Sequence, residues 1–133
     1  MLFWKEGRLY VETDAQRLVR LDPQTGTILW EYAKEEAEIS PPAFSSRGDV
    51  VYVLTRQQIG SSFYEVTAIS AGKRELLWQQ HFVVPAQWEK LETPVVQDEL
   101  LLVPLGERVV ILHVTDGHLL SSSTQPQEDI RRR

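Results

Sequence analysis

The sequence of 133 residues contains no cysteine. Its absence excludes disulfide bonds, thiolate zinc sites and cysteine nucleophiles. Asparagine is absent as well, which removes one of the common calcium ligands. No apolar run approaches the roughly 20 residues that a membrane-spanning helix needs, so we expect no insertion into a membrane.

Clustered positive charge is also scarce. The formal net charge is −5 at pH 7, and Arg131, Arg132 and Arg133 form the one basic run. Nucleic acids and anionic membranes favour clustered Lys and Arg, so we expect neither as the partner. The apolar residues 1–4 meet charged residues too soon for a signal peptide. The sequence as given therefore predicts a cytoplasmic location, or a periplasmic one if the chain is a processed or excised segment.

The sequence also lacks the residue patterns of a catalytic or metal site. The three histidines are His81, His113 and His118, and no serine stands in a GxSxG context. In "HVTDGH", His113 and His118 flank a hairpin turn, where their side chains could converge or point to opposite faces. We predict no enzymatic activity, no catalytic residue, no metal ligand and no bound cofactor.

What the sequence does contain is a repeat. Three segments, starting at residues 21, 69 and 112, align with offsets of 48 and 43 residues: "LDPQTGTILW", "ISAGKRELLW" and "LHVTDGHLLS". Each follows a run rich in β-branched, aromatic or aliphatic residues, "RLYVET", "DVVYVLT" or "ELLLVPL", and a further short run lies upstream of each. Every unit therefore offers four short strands. A period in the forties with four strands is typical of a β-propeller blade.

This pattern predicts an all-β fold of about three four-stranded antiparallel blades. We place the blades at about 1–34, 40–83 and 92–124, within one domain over 1–124, and interpret 125–133 as a polar C-terminal tail. In the first outer turn, Pro23 fixes φ and Gly26 can adopt the positive φ that closes a hairpin. Because Gly72 comes two positions earlier in the second copy, we expect a different turn geometry there.

In its strands, its outer turn and its terminal Trp, the chain resembles the pyrroloquinoline-quinone-like repeat family of β-propellers. Blades of that family show a pattern close to "LYALDxxTGxxLW". Here "LVRLDPQTGTILW" matches it well, "VTAISAGKRELLW" more loosely, and "VILHVTDGHLL" is followed by Ser121 where the Trp should stand. The resemblance implies rings of about seven or eight blades, so three blades form a partial propeller.

The resemblance leaves two functions open. The family includes quinone-dependent dehydrogenases, whose calcium and quinone ligands find no match here, an outer-membrane assembly lipoprotein, and sensor domains. An arc of three blades leaves an apolar face bare at each end, to be covered by a second copy, by another protein or by further blades. We predict a non-catalytic protein–protein interaction or scaffolding module; the alternative is a fragment of a quinone-dependent dehydrogenase or of a ligand-sensing propeller.

Two segments, 56–65 and 81–92, are longer than a minimal hairpin requires and are interpreted as loops. Long loops on a rigid scaffold commonly carry recognition. The candidate partner-contact residues are Gln57, Gln58, Phe63 and Trp88. The remaining tryptophans, Trp4, Trp30 and Trp78, are expected to pack between blades, as large apolar side chains on strands usually do.

Overall fold

The computed structural model describes residues 1–13, 17–85 and 90–124, and these residues form thirteen β-strands and no helix. Blade 1 is the sheet of strands β1 to β4, with bounds Leu2–Lys5, Arg8–Thr13, Arg17–Leu21 and Ile28–Ala33. Blade 2 contains β5 to β9, with bounds Glu38–Ile39, Ala43–Phe44, Val50–Ile59, Ser61–Ser70 and Leu76–Val84. Blade 3 contains β10 to β13, with bounds Val95–Gln97, Leu100–Leu105, Arg108–His113 and Leu119–Thr124.

All strand pairs are antiparallel, and neighbouring strands follow chain order within each blade. In blade 2 the innermost strand is split: β5 and β6 both pair with β7 and lie on either side of Pro41 and Pro42. Proline has no N–H to donate to a ladder, which accounts for the interruption. No sheet closes on itself within the described residues. The all-β fold of three antiparallel blades is confirmed, as a partial propeller.

The blades pack face to face through two apolar junctions. Blade 1 contributes Tyr10, Leu18 and Trp30 to the first junction. They pack against Val51, Val53, Ile69 and further buried apolar residues. The opposite face of blade 2 packs on blade 3 in the same way, and this second cluster includes Tyr52, Tyr64, Val66, Trp78, Leu101, Val103 and Leu112. Both faces of blade 2 are therefore buried, whereas blades 1 and 3 each bury one face.

The outer turn of each blade has the same backbone geometry. The N–H of Gly26 donates to the carbonyl of Asp22, and equivalent bonds of 2.8 Å join Arg74 to Ser70 and Gly117 to His113. In blade 2 the positive φ is taken by Arg74, at 58°, and Gly72 is not in that conformation. The expectation of a different turn in the second copy was therefore wrong, because Arg74 adopts a conformation that usually favours glycine.

The segment 56–65 is not a loop. Strands β7 and β8 contain ten residues each, against five or six in the matching strands of blades 1 and 3. Gly60 alone separates them, with a φ of 79°. Arg56 pairs with Tyr64, and Gln57 pairs with Phe63. The loop interpretation was wrong because these residues continue a paired ladder beyond the common blade length. It was also wrong for the start of 81–92, since strand β9 extends to Val84.

Two of the three tryptophans expected between blades are found there. Trp30 and Trp78 are 7% and 9% exposed, and each indole N–H donates across a junction, at 2.9 Å, to the carbonyl of Ala71 and of Val114 respectively. The expectation for Trp4 was wrong, since its side chain is 63% exposed. Side chains alternate along β1, and it is Phe3 that packs towards blade 2.

Candidate interaction surfaces

The long β7–β8 hairpin extends blade 2 beyond its neighbours. Strand β9 follows it and is nine residues long, so that Phe63 lies opposite Val83 on the outermost strand. Phe63 is half-buried and Val83 is 62% exposed. We name this pair, together with the partner strand residue Gln57, the hairpin patch. It places an aromatic and an aliphatic side chain on the side of blade 2 that faces blade 1.

A cluster of ionic side chains packs against the hairpin patch. The carboxylate of Glu65, 6% exposed, accepts a bond of 2.9 Å from Lys34 Nζ and lies 2.6 Å from Nε2 of His81. Lys34 belongs to the chain just after blade 1, so its ion pair joins the two blades. The Lys34 ammonium lies 5.3 Å from the centre of the Phe63 ring, and the His81 ring lies 5.5 Å from it. Cation–π and ring contacts of this kind hold Phe63 in place.

A second ionic group lies on the blade 3 side of the same hairpin. Arg56 is 4% exposed, and its Nε and Nη2 atoms donate to Glu38 Oε1 at 3.1 and 2.8 Å. Its guanidinium also lies 5.9 Å from the ring centre of Tyr64. A depression of about 250 Å³ adjoins this group, lined by Glu36, Ala37, Glu38, Arg56 and Gln58. These contacts hold Arg56 in the paired β-ladder, so this part of the hairpin is not a loop.

Three of the four contact residues predicted from the sequence lie within the described residues, and they fall on two sides of the hairpin. Gln57 and Phe63 share one side of the hairpin, because they are cross-strand partners. Gln57 donates to the carbonyl of Glu35 at 2.9 Å, and Gln58 accepts from the Ser62 hydroxyl at 2.6 Å on the other side. Trp88 lies outside the described residues. The structure adds Val83 and Lys34 to the candidate surface, and the sequence analysis missed both. The two adjacent valines before Pro85 are the signal in the sequence that could have identified Val83.

The histidine pair across the third outer turn does not converge on one point. His113 and His118 stack with ring centres 5.4 Å apart and an angle of 9° between their planes. His118 contacts Asp116, and the backbone and side chain of His118 lower the pKa of that carboxyl. No group of three His, Asp or Glu side chains able to hold a metal ion is present among the described residues.

That donor set does not fit a calcium-dependent quinone site. Such a site needs several oxygen ligands directed at one point, and no group of three His, Asp or Glu side chains converges in this way among the described residues. We derive no quinone or calcium step from the residues of this chain.

Blade 1 leaves one broad apolar face without a partner among the described residues. Leu2 and Trp4 of β1 pair with Val11 and Leu9 of β2, and the same cross-strand row continues through Leu21. Cross-strand partners point to the same side of a sheet, which here is the side away from blade 2. The row ends at Ile28, and Leu2, Trp4 and Ile28 are 69%, 63% and 59% exposed. We name this surface the blade 1 face.

Tyr52 shows how burial at a blade junction affects a phenol. Tyr52 is 2% exposed in the junction between blades 2 and 3, where its ring packs 6.0 Å from that of Trp78. Burial raises the pKa of Tyr52 to about 12, with a smaller contribution from the charge of Asp49. The junction therefore keeps this phenol neutral over the whole physiological range.

The four-stranded blades, the outer turns and the buried tryptophans define a partial propeller of pyrroloquinoline-quinone-like repeats. The family model described as outer membrane protein assembly factor BamB matches residues 2–132, and the chain belongs to that family. No curated protein sequence matches the chain significantly.

Solved structures agree on the fold. BamB from Moraxella catarrhalis superposes with a TM-score of 0.66 at 13% identity, covering 94% of this chain and 34% of that one. A europium-containing methanol dehydrogenase superposes with a TM-score of 0.63 at 16% identity, covering 98% of this chain and 27% of the enzyme. The chain thus spans about a third of the BamB structure that it matches. In its described part, no helix could cross a membrane.

Proposed function

We propose that this chain acts as a non-catalytic protein–protein interaction or scaffolding module, and that the hairpin patch is its main contact surface. The observation that carries the proposal is the length of β7, β8 and β9, which raises Phe63 and Val83 beyond the common edge of the blades. Gln57, Gln58 and Trp88 remain proposed partner contacts.

The chemistry of the hairpin patch suits a protein partner. Aromatic side chains held in one position bind with little loss of conformational freedom, and such anchors often dominate interface energies. Phe63 is held by Lys34 and His81, whereas Val83 offers apolar area to a partner. The Lys34 ammonium adds a donor for carboxylates or carbonyls at the rim, where charge contributes more to specificity than to affinity.

The family supports an assembly role. Its description names an outer membrane protein assembly factor, so we propose that this chain also assists the assembly of other proteins at the cell envelope. That role favours the periplasmic alternative over the cytoplasmic prediction. Fractionation of cells that produce the protein from its native gene distinguishes the two compartments.

We also propose that residues 1–124 behave as one unit with the predicted blade limits, and that 125–133 is a separable tail. Limited proteolysis tests this: cleavage should start after residue 124 and leave the three blades as one resistant product. Early cleavage between two blades would contradict the single unit.

The contact surface is tested by two variants of the tagged protein. Phe63→Ser combined with Val83→Ser removes the patch, and Leu29→Ser removes a comparably exposed aliphatic residue on blade 1. Photo-crosslinking at Gln57 in cells should trap a defined partner, identified by mass spectrometry. The double variant should lower that crosslink at least tenfold while Leu29→Ser leaves it unchanged. An equal yield from both variants would overturn the proposed surface.

A further inference from the structure

The outermost strand of blade 2 is longer than those of the other two blades. Strand β9 contains nine residues, whereas β4 and β13 contain six each. Among the described residues β9 pairs only with β8, so its other edge has no partner strand. Blade 2 packs on a neighbour at both faces, and neither neighbour adds a strand to this edge. The free edge of a strand presents main-chain N–H and C=O groups that can pair with another chain.

The free edge of β9 lacks the features that usually prevent such pairing, which are charged residues, prolines and bulges. A register shift interrupts each outermost strand near the outer turn, and in β9 it comes before Trp78. From Trp78 to Val84 the ladder is regular, and this segment contains no lysine, arginine, acidic residue or proline. In β4, by contrast, Glu31 forms an ion pair with Arg17, and β13 ends in four hydroxyl residues. Of the three outermost strands, β9 is therefore the best suited to pair with an added strand.

One side of this edge carries a row of side chains that a pairing segment would contact. Gln79, His81 and Val83 alternate along β9 and point towards blade 1, as their partner Phe63 does on β8. The His81 side chain is 50% exposed and Val83 is 62% exposed. Side chains of an added strand stand beside those of the strand that it joins. Alternate residues of a pairing segment would therefore lie next to this row.

The charges beside the row favour an acidic segment. Lys34 Nζ lies 2.9 Å from one carboxylate oxygen of Glu65, and His81 Nε2 lies 2.6 Å from the other. Glu65 is 6% exposed and its charge is balanced by Lys34, so it presents little negative charge to an incoming chain. Arg74 adds a second cation nearer the outer turn, where its Nε donates to the carbonyl of Glu31 at 3.0 Å. Complementary charge of this kind selects among partners.

Apolar sites lie at both ends of the row. At the tip of the hairpin, Phe63 and Val83 form the apolar part of the hairpin patch. At the outer turn, a cavity of about 120 Å³ is lined by Tyr32, Ile69, Arg74 and Leu76. Leu76 and Val83 are seven positions apart, which corresponds to roughly 20–25 Å of extended chain. A short extended segment therefore reaches both apolar sites and crosses the cationic groups between them.

We propose that β9 binds an extended segment of the partner protein as an additional, antiparallel outermost strand of blade 2. The segment carries an acidic residue beside His81 and Lys34. The residue two positions before it is aliphatic and packs on Val83, and the residue four positions after it is aliphatic and enters the cavity beside Leu76. Main-chain hydrogen bonds to β9 provide affinity, and the alternate side chains provide selectivity. The inference rests on the proposed function, because it specifies how a partner contacts the hairpin patch.

A short peptide tests this pairing. The capped probe Val-Thr-Glu-Thr-Gln-Thr-Leu follows the proposed pattern when it lies antiparallel to β9. Titrated into the isotope-labelled chain and followed by nuclear magnetic resonance, it should shift the amide signals of Gln79 to Val84 and leave those of β13 unchanged. Replacement of its glutamate by lysine should weaken binding at least tenfold, because the new ammonium group lies beside Lys34.

Two N-methylated forms of the probe isolate the main-chain bonds. The N–H groups of successive residues point to opposite edges of a strand. Methylation of the threonine amides therefore blocks one edge of the peptide, and methylation of the glutamate, glutamine and leucine amides blocks the other. One form should bind at least tenfold more weakly than the parent peptide, and the other should bind as the parent does.

Matched variants of the chain locate the edge. Val83→Glu places a carboxylate on β9 beside the proposed segment and should weaken binding of the probe at least tenfold. Leu120→Glu makes the same kind of change on β13, where Leu120 is 47% exposed, and should leave the affinity unchanged. Cooperative urea unfolding confirms that both variants are folded.

Strand addition is overturned if the probe does not bind at millimolar concentration, or if neither methylated form is weakened. It is equally overturned if the wild-type chain pairs with itself through β9 without peptide, which a dilution series of the amide spectra reveals. The crosslink at Gln57 remains a separate readout. If that crosslink depends on the hairpin patch while the peptide results are negative, the proposed contact surface stands and the proposed mode of binding fails.

Discussion

Trp30 and Trp78 each perform two functions in a single side chain. Each fills an apolar junction with its ring and satisfies a main-chain carbonyl of the next blade with its N–H group. A hydrogen bond of this kind contributes about 0.5–1.5 kcal/mol to stability, which adds to the packing of the ring. The carbonyl of Ala71 accepts a second bond, of 2.7 Å, from Nη1 of Arg20. This explains why the same residue type recurs at this register, while the exposed Trp4 makes no such bond among the described contacts.

Two glycines with the same backbone conformation differ in what surrounds them, and they provide the first prediction. Gly26 and Gly117 have φ values of 77° and 78°. An alanine at either position is strained by about 1 kcal/mol. Gly117→Ala also collides with Trp78, and we expect it to lower the free energy of unfolding by about 2 kcal/mol more than Gly26→Ala does.

Urea denaturation of the two variants measures this difference directly, because the shared strain cancels. Equal losses of stability in Gly26→Ala and Gly117→Ala would mean that the indole of Trp78 does not lie on Gly117 in solution.

The buried Tyr52 predicts how stability changes at alkaline pH. Its pKa is raised to about 12 in the folded state, against about 10 in an unfolded chain. The stabilisation from keeping this phenol neutral is complete below pH 10 and is lost as the pH rises from 10 towards 12, because only the unfolded state then releases the proton. Two pKa units correspond to about 2–3 kcal/mol.

Chemical denaturation between pH 8 and pH 12 tests this. The wild-type protein should lose stability over the upper half of the range, and Tyr52→Phe should flatten that part of the decline. Some slope will persist in the variant, since burial also raises the pKa of Tyr10 and Tyr32. An unchanged slope in Tyr52→Phe would contradict the buried position of this ring.

At the scale of the element, the β7–β8 hairpin is a long ladder joined to blade 1 by charge. Glu65 is nearly buried and pairs with Lys34 across the junction, whereas Glu31 pairs with Arg17 at the surface, with both side chains about half exposed. We expect Glu65→Gln to lower the free energy of unfolding by about 1–3 kcal/mol, and Glu31→Gln to change it by less than about 0.5 kcal/mol.

Thermal or urea unfolding of these two matched variants checks the prediction, and hydrogen exchange locates the loss. Exchange in Glu65→Gln should increase along β8 and β9 and leave blade 3 unaffected. Similar small effects in both variants would show that the link between Lys34 and Glu65 does not stabilise the junction.

The elements illustrate which features a sequence reveals. Alternating apolar residues and turn residues such as Pro23 and Gly26 predicted the strands and blades, because strand period and turn conformation are local properties. The turn at Arg74 was mispredicted, since a positive φ in a non-glycine residue has no local signal. The extended ends of β7 and β8 were taken for a loop, because Arg56 and the residues after it are polar, and their pairing depends on contacts with neighbouring blades.

The candidate surfaces were predicted less completely than the fold. Phe63 was proposed as a contact because of its segment. The cluster of Glu65, Lys34 and His81 that holds it was not predicted, because its members lie on strands or connections distant in sequence. The blade 1 face could be anticipated as an open end of an arc. The difference between the open surroundings of Gly26 and the contact of Gly117 with Trp78 could not, because it depends on the three-dimensional packing of the blades.

At the scale of the whole molecule, the structure is an arc of three blades with a direction. At each junction a tryptophan of one blade donates to the outer turn of the next blade. Ser121 stands at that register in blade 3, and among the described residues nothing lies within 4 Å of a Cβ added at Gly26 in the outer turn of blade 1. The two ends are therefore not equivalent. The hairpin patch on blade 2 lies between them and is available whichever end is covered.

Hydroxyl-radical footprinting of the purified wild-type chain, read by mass spectrometry, tests this arrangement most directly. The account predicts that Trp4, Leu2 and Ile28 on the blade 1 face are oxidised rapidly, while Trp30 and Trp78 react at least tenfold more slowly inside the two blade junctions. Rapid oxidation of Trp30 and Trp78, or protection of Trp4 to the same degree as these two, would contradict it.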